Sequence, residues 1–321
     1  MAKAPWQTIP WARVVAFADR LGAGNPAVVL RFREGESRWL DAEWMQAFAR
    51  EVDAPATAYL YPAPRTSRQA VAGDPDSGAA VKAAGDSHGD PERTMAGEWL
   101  VRWFAPVGAI GLCGHGALAS FAWLATTTHL EAREAASRPG SETSAALRLV
   151  PGAYPAIDGV VTADAHRAQV EMSMPSLPFV PQAEEPATLR QALGGAQPVA
   201  LGMVDGKLLV ELADEVAVRE LRYDFAAGLA ANPWPIIVTA RALEPTAGGY
   251  DFVSRVFYHR EDPVTGSAHA GLAPYWANKL GKPQLIGRQV SSRGGTIDMT
   301  VQAHAVTLRG RARVVAHGYL G

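Results

Sequence analysis

The sequence predicts an α/β (α+β) protein of two related halves, each a sheet wrapped around one central helix. Two strand–turn–helix units carry that expectation. In the first, Leu100–Phe104 reads as a strand, Gly111-Leu-Cys-Gly-His-Gly116 as a glycine-rich turn, and the following run as a helix of small apolar residues. In the second, Phe252–Tyr258 is the strand, and Glu261-Asp-Pro-Val-Thr-Gly-Ser-Ala268 opens a helix of the same character. Both helices are apolar on nearly every side, the pattern of an element enclosed by other structure. A third observation links the units. A shift of 154 positions sets Cys113 on Ser267, His115 on His269, Leu118 on Leu272, Ala119 on Ala273 and Phe121 on Tyr275. Two copies are too few for a solenoid, but they suit two α/β halves.

The chain opens with a strand-like run, Arg13–Phe17, a turn at Gly22-Ala-Gly-Asn-Pro26, and a second run, Ala27–Leu30. Trp44, Met45 and Phe48 recur at helical spacing within residues 41–51, and Asp41 stands where a cap is needed. Thr57–Tyr61 reads as a short strand. Residues 62–97 carry no large apolar side chain before Met95, so they are expected to form a flexible surface insertion that buries too little to offset its chain entropy. Glu131–Ala146 reads as a helix tail and loop. Helices are expected over Ala187–Leu193 and Val216–Leu229, and a strand over Ile236–Thr239. The expected division is 1–158 for the first half and 159–309 for the second, with the last strand, about 310–321, able to return to the first.

A chain of 321 residues can build two cores. Thirty Lys and Arg against thirty-two Asp and Glu leave a formal charge of -2, so no basic footprint points to nucleic acid or an anionic membrane. The first residues lack the apolar centre of a secretory signal, and no apolar run approaches the roughly eighteen residues of a membrane span; a cytoplasmic protein is expected. The single cysteine, Cys113, permits no internal disulfide and no pair of catalytic thiols, and no histidine spacing suggests a metal site.

The chemistry is expected at the helix starts. Gly111–Gly116 and Thr265–Ala268 begin their helices on residues with little side chain, so unpaired N–H groups and the positive ends of two helix dipoles are open to an anion. If the halves face each other, a substrate carboxylate or a developing enolate is held between them, with His115 and Asp262 as proton donor and acceptor. The same residues have plainer readings. Asp262-Pro263 is also an ordinary helix start, with a cap before proline at the first helical position. His115 also suits a hydrogen-bonded core histidine, and His269 a structural one. Cys113 suits an inert buried thiol. Gly22-Ala-Gly-Asn-Pro-Ala27 fits the dinucleotide fingerprint, but a strand follows it where a helix is required. A Cys113-based hydrolase using Asp262 and His304 is a lower alternative, because the segment lacks the second glycine of a nucleophile elbow.

Four segments in order, GNPAVVL at 24–30, RWFAPVGAIGLCGHGALA at 102–119, EDPVTGSAHAGLAPYWANKLG at 261–281 and QVSSRGG at 289–295, resemble the phenazine biosynthesis PhzF-like proteins, relatives of diaminopimelate epimerase. The resemblance spans nearly the whole chain. It implies two pseudo-symmetric halves, each a curled, mostly antiparallel sheet around a central helix, and a homodimer. It also implies an isomerase that removes a proton near a carboxylate of a small cyclic or aromatic molecule and returns it elsewhere, with no cofactor and no metal. Carried over by motif, His115 and Asp262 are catalytic, and Asn25, Gly114, Gly266 and Ser267 bind substrate. One position departs. The family's catalytic glutamate lies in a segment resembling S-E-T-A-F, which here reads Pro55-Ala-Thr-Ala-Tyr59, so Ala56 stands at the glutamate position. The turn before Leu112-Cys-Gly-His115, usually acidic, reads Ala109-Ile-Gly111. A positioned base contributes about a hundred- to ten-thousand-fold, so the alternative is a catalytically impaired homologue that still binds a small carboxylate.

Overall fold

Two long apolar helices organise the molecule, each enclosed by its own curled sheet. The computed structural model describes residues 8–64, 95–136, 143–152, 154–164, 166–243 and 249–321. β1 (Ile9–Ala16) and β2 (Asn25–Arg31) form the first hairpin, so the turn at 22–26 leads into a strand and not a dinucleotide-binding helix. α1 (Ala42–Val52) begins after Asp41, whose carboxylate accepts from Trp44 N at 2.9 Å. β3 (Ala56–Pro62) then pairs parallel with β2. Its two-residue period sets its two faces: Ala56, Ala58 and Leu60 join the inner core, and Tyr59 joins the aromatic layer beneath α1, where its hydroxyl donates to Met45 O at 2.6 Å.

β4 (Met95–Ala105) pairs with β3 and turns into β5 (Gly108–Ile110), which leads to the first central helix, α2 (Gly114–Ala136). Most of the expected insertion, residues 65–94, lies outside the described residues. Its two ends are strand: Pro62 closes β3, and 95–97 already lie on β4, with Met95 and Gly97 in its ladder with β6 (Thr143–Pro151). The helix tail expected from Glu131 is present, and the loop expected up to Ala146 is corrected at its far end. α2 continues to Ala136, and Thr143–Ala146 are strand because Ser144, Ala145 and Ala146 face partners on β7 (Ile157–Ala163). β8 (Arg167–Pro175) follows β7, and β9 (Val180–Pro181) comes next in the chain.

The second half repeats this plan. α3 (Leu189–Ala192) precedes the hairpin of β10 (Ala200–Val204) and β11 (Lys207–Glu211). The helix expected over Val216–Leu229 is broken into α4 (Glu215–Arg219) and α5 (Phe225–Ala231), because Asp224 accepts from Ala226 N and Ala227 N and starts a second helix. β12 (Ile236–Arg241) runs parallel to β11, β13 (Phe252–Phe257) antiparallel to β12, and β14 (Glu261–Asp262) antiparallel to β13. The second central helix, α6 (Gly266–Leu280), carries the chain to β15 (Gln284–Gln289), which is parallel to β13. β16 (Gly295–Val301) and β17 (Ala305–Leu320) complete the chain.

The pairings match strand for strand. β1–β2, β2–β3, β3–β4, β4–β5, β4–β6 and β6–β7–β8 have the same senses as β10–β11, β11–β12, β12–β13, β13–β14, β13–β15 and β15–β16–β17. The last strand of each half also crosses over. β17 pairs with β1, β9 pairs with β10, and β8 and β17 pair antiparallel with each other along the divide. α2 packs on β1, β2, β3, β6, β7, β8 and β17, which explains why so few of its positions are polar. Among the described residues, no helix is long and apolar enough to cross a membrane.

Candidate active site

The two central helices meet nose to nose. A Cβ on Gly114 would lie 2.7 Å from Gly266 Cα and from Ser267 N, and one on Gly266 would lie 2.9 Å from Gly114 Cα. Only glycine at both positions lets the backbones approach this closely. This contact fixes the internal correspondence. The helices start at 114 and 266, a displacement of 152, so Thr265 and not Ser267 is the counterpart of Cys113. The 154-residue shift matched side chains of similar size two positions out of register.

Asn25, the first residue of β2, is fully buried and spans the divide. Its Nδ2 donates to Asp262 Oδ1 at 2.7 Å and to Val264 O at 2.8 Å. The Val264 carbonyl can only accept, so the amide orientation is fixed, and Asn25 Oδ1 is left buried without a partner. Asp262 is not a helix cap, contrary to the plainer sequence reading. The helix starts three residues beyond Pro263, and Asp262 sits on β14, accepting from Asn25 and, at 2.5 Å, from Thr265 Oγ1.

His115, in the first turn of α2, is buried; its Nδ1 lies 3.6 Å from Cys113 Sγ and its Nε2 has no partner. Burial lowers its pKa from the ordinary histidine value, and the Asp262 carboxylate opposes that shift. Cys113 is pushed up to about 12, chiefly by burial, with the Gly116 N–H opposing and Asp262 reinforcing the rise. A neutral thiol is a poor nucleophile. His304 lies exposed in the turn between β16 and β17, so the structure does not assemble Cys113, Asp262 and His304 as a triad.

The remaining positions divide clearly. Asn25, Gly114, His115, Asp262, Gly266 and Ser267 gather at the helix junction. Ala56 is buried on the same inner face, paired with Ala27 two residues beyond Asn25. His269 is buried one turn into α6, with Nδ1 against Thr265 O at 2.8 Å. Among the described residues, no three His, Cys, Asp or Glu side chains are grouped as a metal site.

Sequence reasoning assigned no role to Gln289, yet it holds the site's frame. Gln289 Nε2 donates to Asp262 O at 2.6 Å, and its Oε1 accepts from Thr265 N at 2.8 Å. Ser291 Oγ donates to Pro263 O at 2.6 Å, and Gly294 O accepts from Gly24 N at 2.8 Å. The segment 289–295 therefore clamps the Asp262 turn on one side and the Asn25 turn on the other. Its motif was visible in the sequence; its function depends on long-range contacts.

Fold and junction define a protein of the diaminopimelate epimerase-like class, with paired helix N-termini between two pseudo-symmetric halves. The family model described as phenazine biosynthesis-like protein matches residues 14–318, and the chain belongs to this PhzF family of isomerases. It is 34% identical over 311 residues to an uncharacterized isomerase of Pseudomonas aeruginosa, covering 95% of this chain and 96% of that one. A second uncharacterized isomerase, from Halalkalibacterium halodurans, is 29% identical over 317 residues, covering 98% of each chain. The crystal structure of a PhzF-family protein from Enterococcus faecalis superposes with a TM-score of 0.66 at 26% identity, covering 98% of this chain and 99% of that one.

Proposed function

We propose that this protein is an isomerase that removes and returns a proton on a small cyclic or aromatic carboxylate or amino acid bound between the halves. The observation that carries the reading is the contact of Gly114 with Gly266. It brings two positive helix ends together, an arrangement that favours an anion between them. Beside it, His115 Nε2 and Asn25 Oδ1 are buried polar atoms without partners, the places for a substrate proton and a substrate N–H or O–H. Asp262, oriented by Asn25 and Thr265, is the acid–base partner of His115. Gly266 and Ser267 supply backbone N–H groups toward the carboxylate or the developing enolate. The chemistry calls for no cofactor, since the helix ends stabilise the charge that forms. Family resemblance supports a homodimer.

The test is incubation with a panel of such acids in deuterated water, read by NMR. Deuterium at a carbon near the carboxylate supports isomerisation; saturable binding with no exchange in any member of the panel opposes it.

A second reading, a homologue that binds a carboxylate without turning it over, is favoured by Ala56. A methyl group stands where the family has its glutamate, and on the inner face beside Asn25 and Ala27 it offers no base. Ala56→Glu separates the readings. A rise in exchange in the variant over an inert wild type favours the binding-only homologue, and an active wild type favours the isomerase.

A further inference from the structure

A cavity of about 180 Å³ lies on the outer face of the first sheet, and neither His115 nor Asp262 lines it. Arg13, Arg20, Arg293 and Arg313 all line it, with Leu21 and Val315 among its apolar walls and no acidic residue. Ala12, Val14 and Ala16 of β1 join the core beneath α2, so Arg13 and Val15 project to the opposite face. The register between β1 and β17 jumps after Arg13, which faces Ala316 while Val14 faces Val314; Val315 is the extra residue of a β-bulge. Such bulges re-aim side chains and gather at functional sites.

The guanidiniums differ in their commitments. Arg293 donates from Nε to Gly24 O at 2.7 Å and from Nη2 to Ala23 O at 3.0 Å, so it is held rigidly by the turn that presents Asn25. Among the described residues, Arg13, Arg20 and Arg313 make no ion pair, although neighbouring Arg311 pairs with Asp19 at 3.4 Å. Several unpaired guanidiniums converging on a concave surface repel one another until an anion neutralises them, and their planar forks match a phosphoryl group. The apolar walls are strongly exposed, Leu21 at 70% and Val315 at 43%, and suit a small apolar group attached to that anion.

We propose that this cavity is a binding site for a phosphate monoester of a small apolar molecule, independent of the isomerase reading of the helix junction. Calorimetry of the full chain at low ionic strength tests it with phenyl phosphate, inorganic phosphate and benzoate as probes. Phenyl phosphate is expected to bind saturably, one per chain, and more tightly than the other two. Arg13→Gln with Arg313→Gln, or Arg20→Gln alone, should weaken it by roughly tenfold or more while leaving the circular dichroism spectrum unchanged. Arg190→Gln, which removes a surface arginine paired with Glu185, should bind as wild type does. Undiminished binding in the arginine variants would place the anion elsewhere and overturn the proposal. So would the absence of saturable heat, benzoate binding as tight as that of phenyl phosphate, or equal affinity for inorganic phosphate.

Discussion

Gly114 and Gly266 approach so closely that a methyl group on either would overlap the other's backbone; from Gly114 the overlap is at 2.7 Å and from Gly266 at 2.9 Å. Backbone cannot yield as the end of a flexible side chain can. Gly114→Ala should therefore destabilise by about 1–3 kcal/mol and separate the two helix ends. Chemical denaturation should show that loss together with weakened ligand binding. Gly108→Ala on β5 meets nothing within 4 Å and should leave both unchanged.

Asn25 is matched to Asp262 by its donor alone, since Nδ2 reaches Oδ1 at 2.7 Å. Asn25→Asp would set two carboxylates against each other, and their shared titration would rise above the unfolded value. The sign follows: the unfolded state gives up its protons first, so the penalty is greatest at pH 7 and shrinks as acid supplies a proton to the pair. Urea denaturation at pH 7 and pH 5 should show the variant recovering relative to wild type at the lower pH.

His269 gives the native protein its own acid sensitivity. Burial lowers its pKa from 6.5 to about 4, against the opposing hydrogen bond to Thr265 O. The unfolded chain binds the proton first, so stability is complete above the unfolded value and is lost as pH falls from 6.5 toward 4. Across that window the loss from this one residue is roughly 3 kcal/mol. His115, lowered mainly by its burial, adds in the same direction. Denaturation midpoints measured from pH 7.5 down to 4.5 should fall, and His269→Gln should flatten the slope.

Cys113 should behave as a core residue. With its thiol pushed up to about 12 and its side chain buried, alkylation at neutral pH should be slow in the folded protein and fast in denaturant. Cys113→Ala should retain whatever turnover the wild type shows. Rapid native alkylation accompanied by loss of turnover would contradict this account.

Local patterns carried the architecture a long way. Asp41 capped its helix as its position demanded, and the alternation of Ala56, Thr57, Ala58 and Tyr59 divided β3 between two cores. The bare starts of both central helices were legible because glycine spacing is local. What escaped was long-range. The expected helix over Val216–Leu229 broke at Asp224, whose caps form only once the chain has turned. Residues 95–97 and 143–146 had loop-like composition but became strand through pairings with β6 and β7. Of the candidate site, the residues at the junction were visible as motifs. The Asn25–Asp262 bond joins residues 237 apart, and no spacing announced it. Gln289 stayed hidden for the same reason, as did the two-residue correction to the internal repeat.

The central claim is that a proton moves at the junction of the helices through Asp262. Deuterium exchange into the best-bound cyclic or aromatic acid, followed by NMR for wild type and Asp262→Asn at equal site occupancy, tests it most directly. The account predicts exchange in the wild type and a fall of about a hundredfold or more in the variant, with binding retained. Unchanged exchange in Asp262→Asn, or none in a wild type that binds the acid saturably, would contradict it.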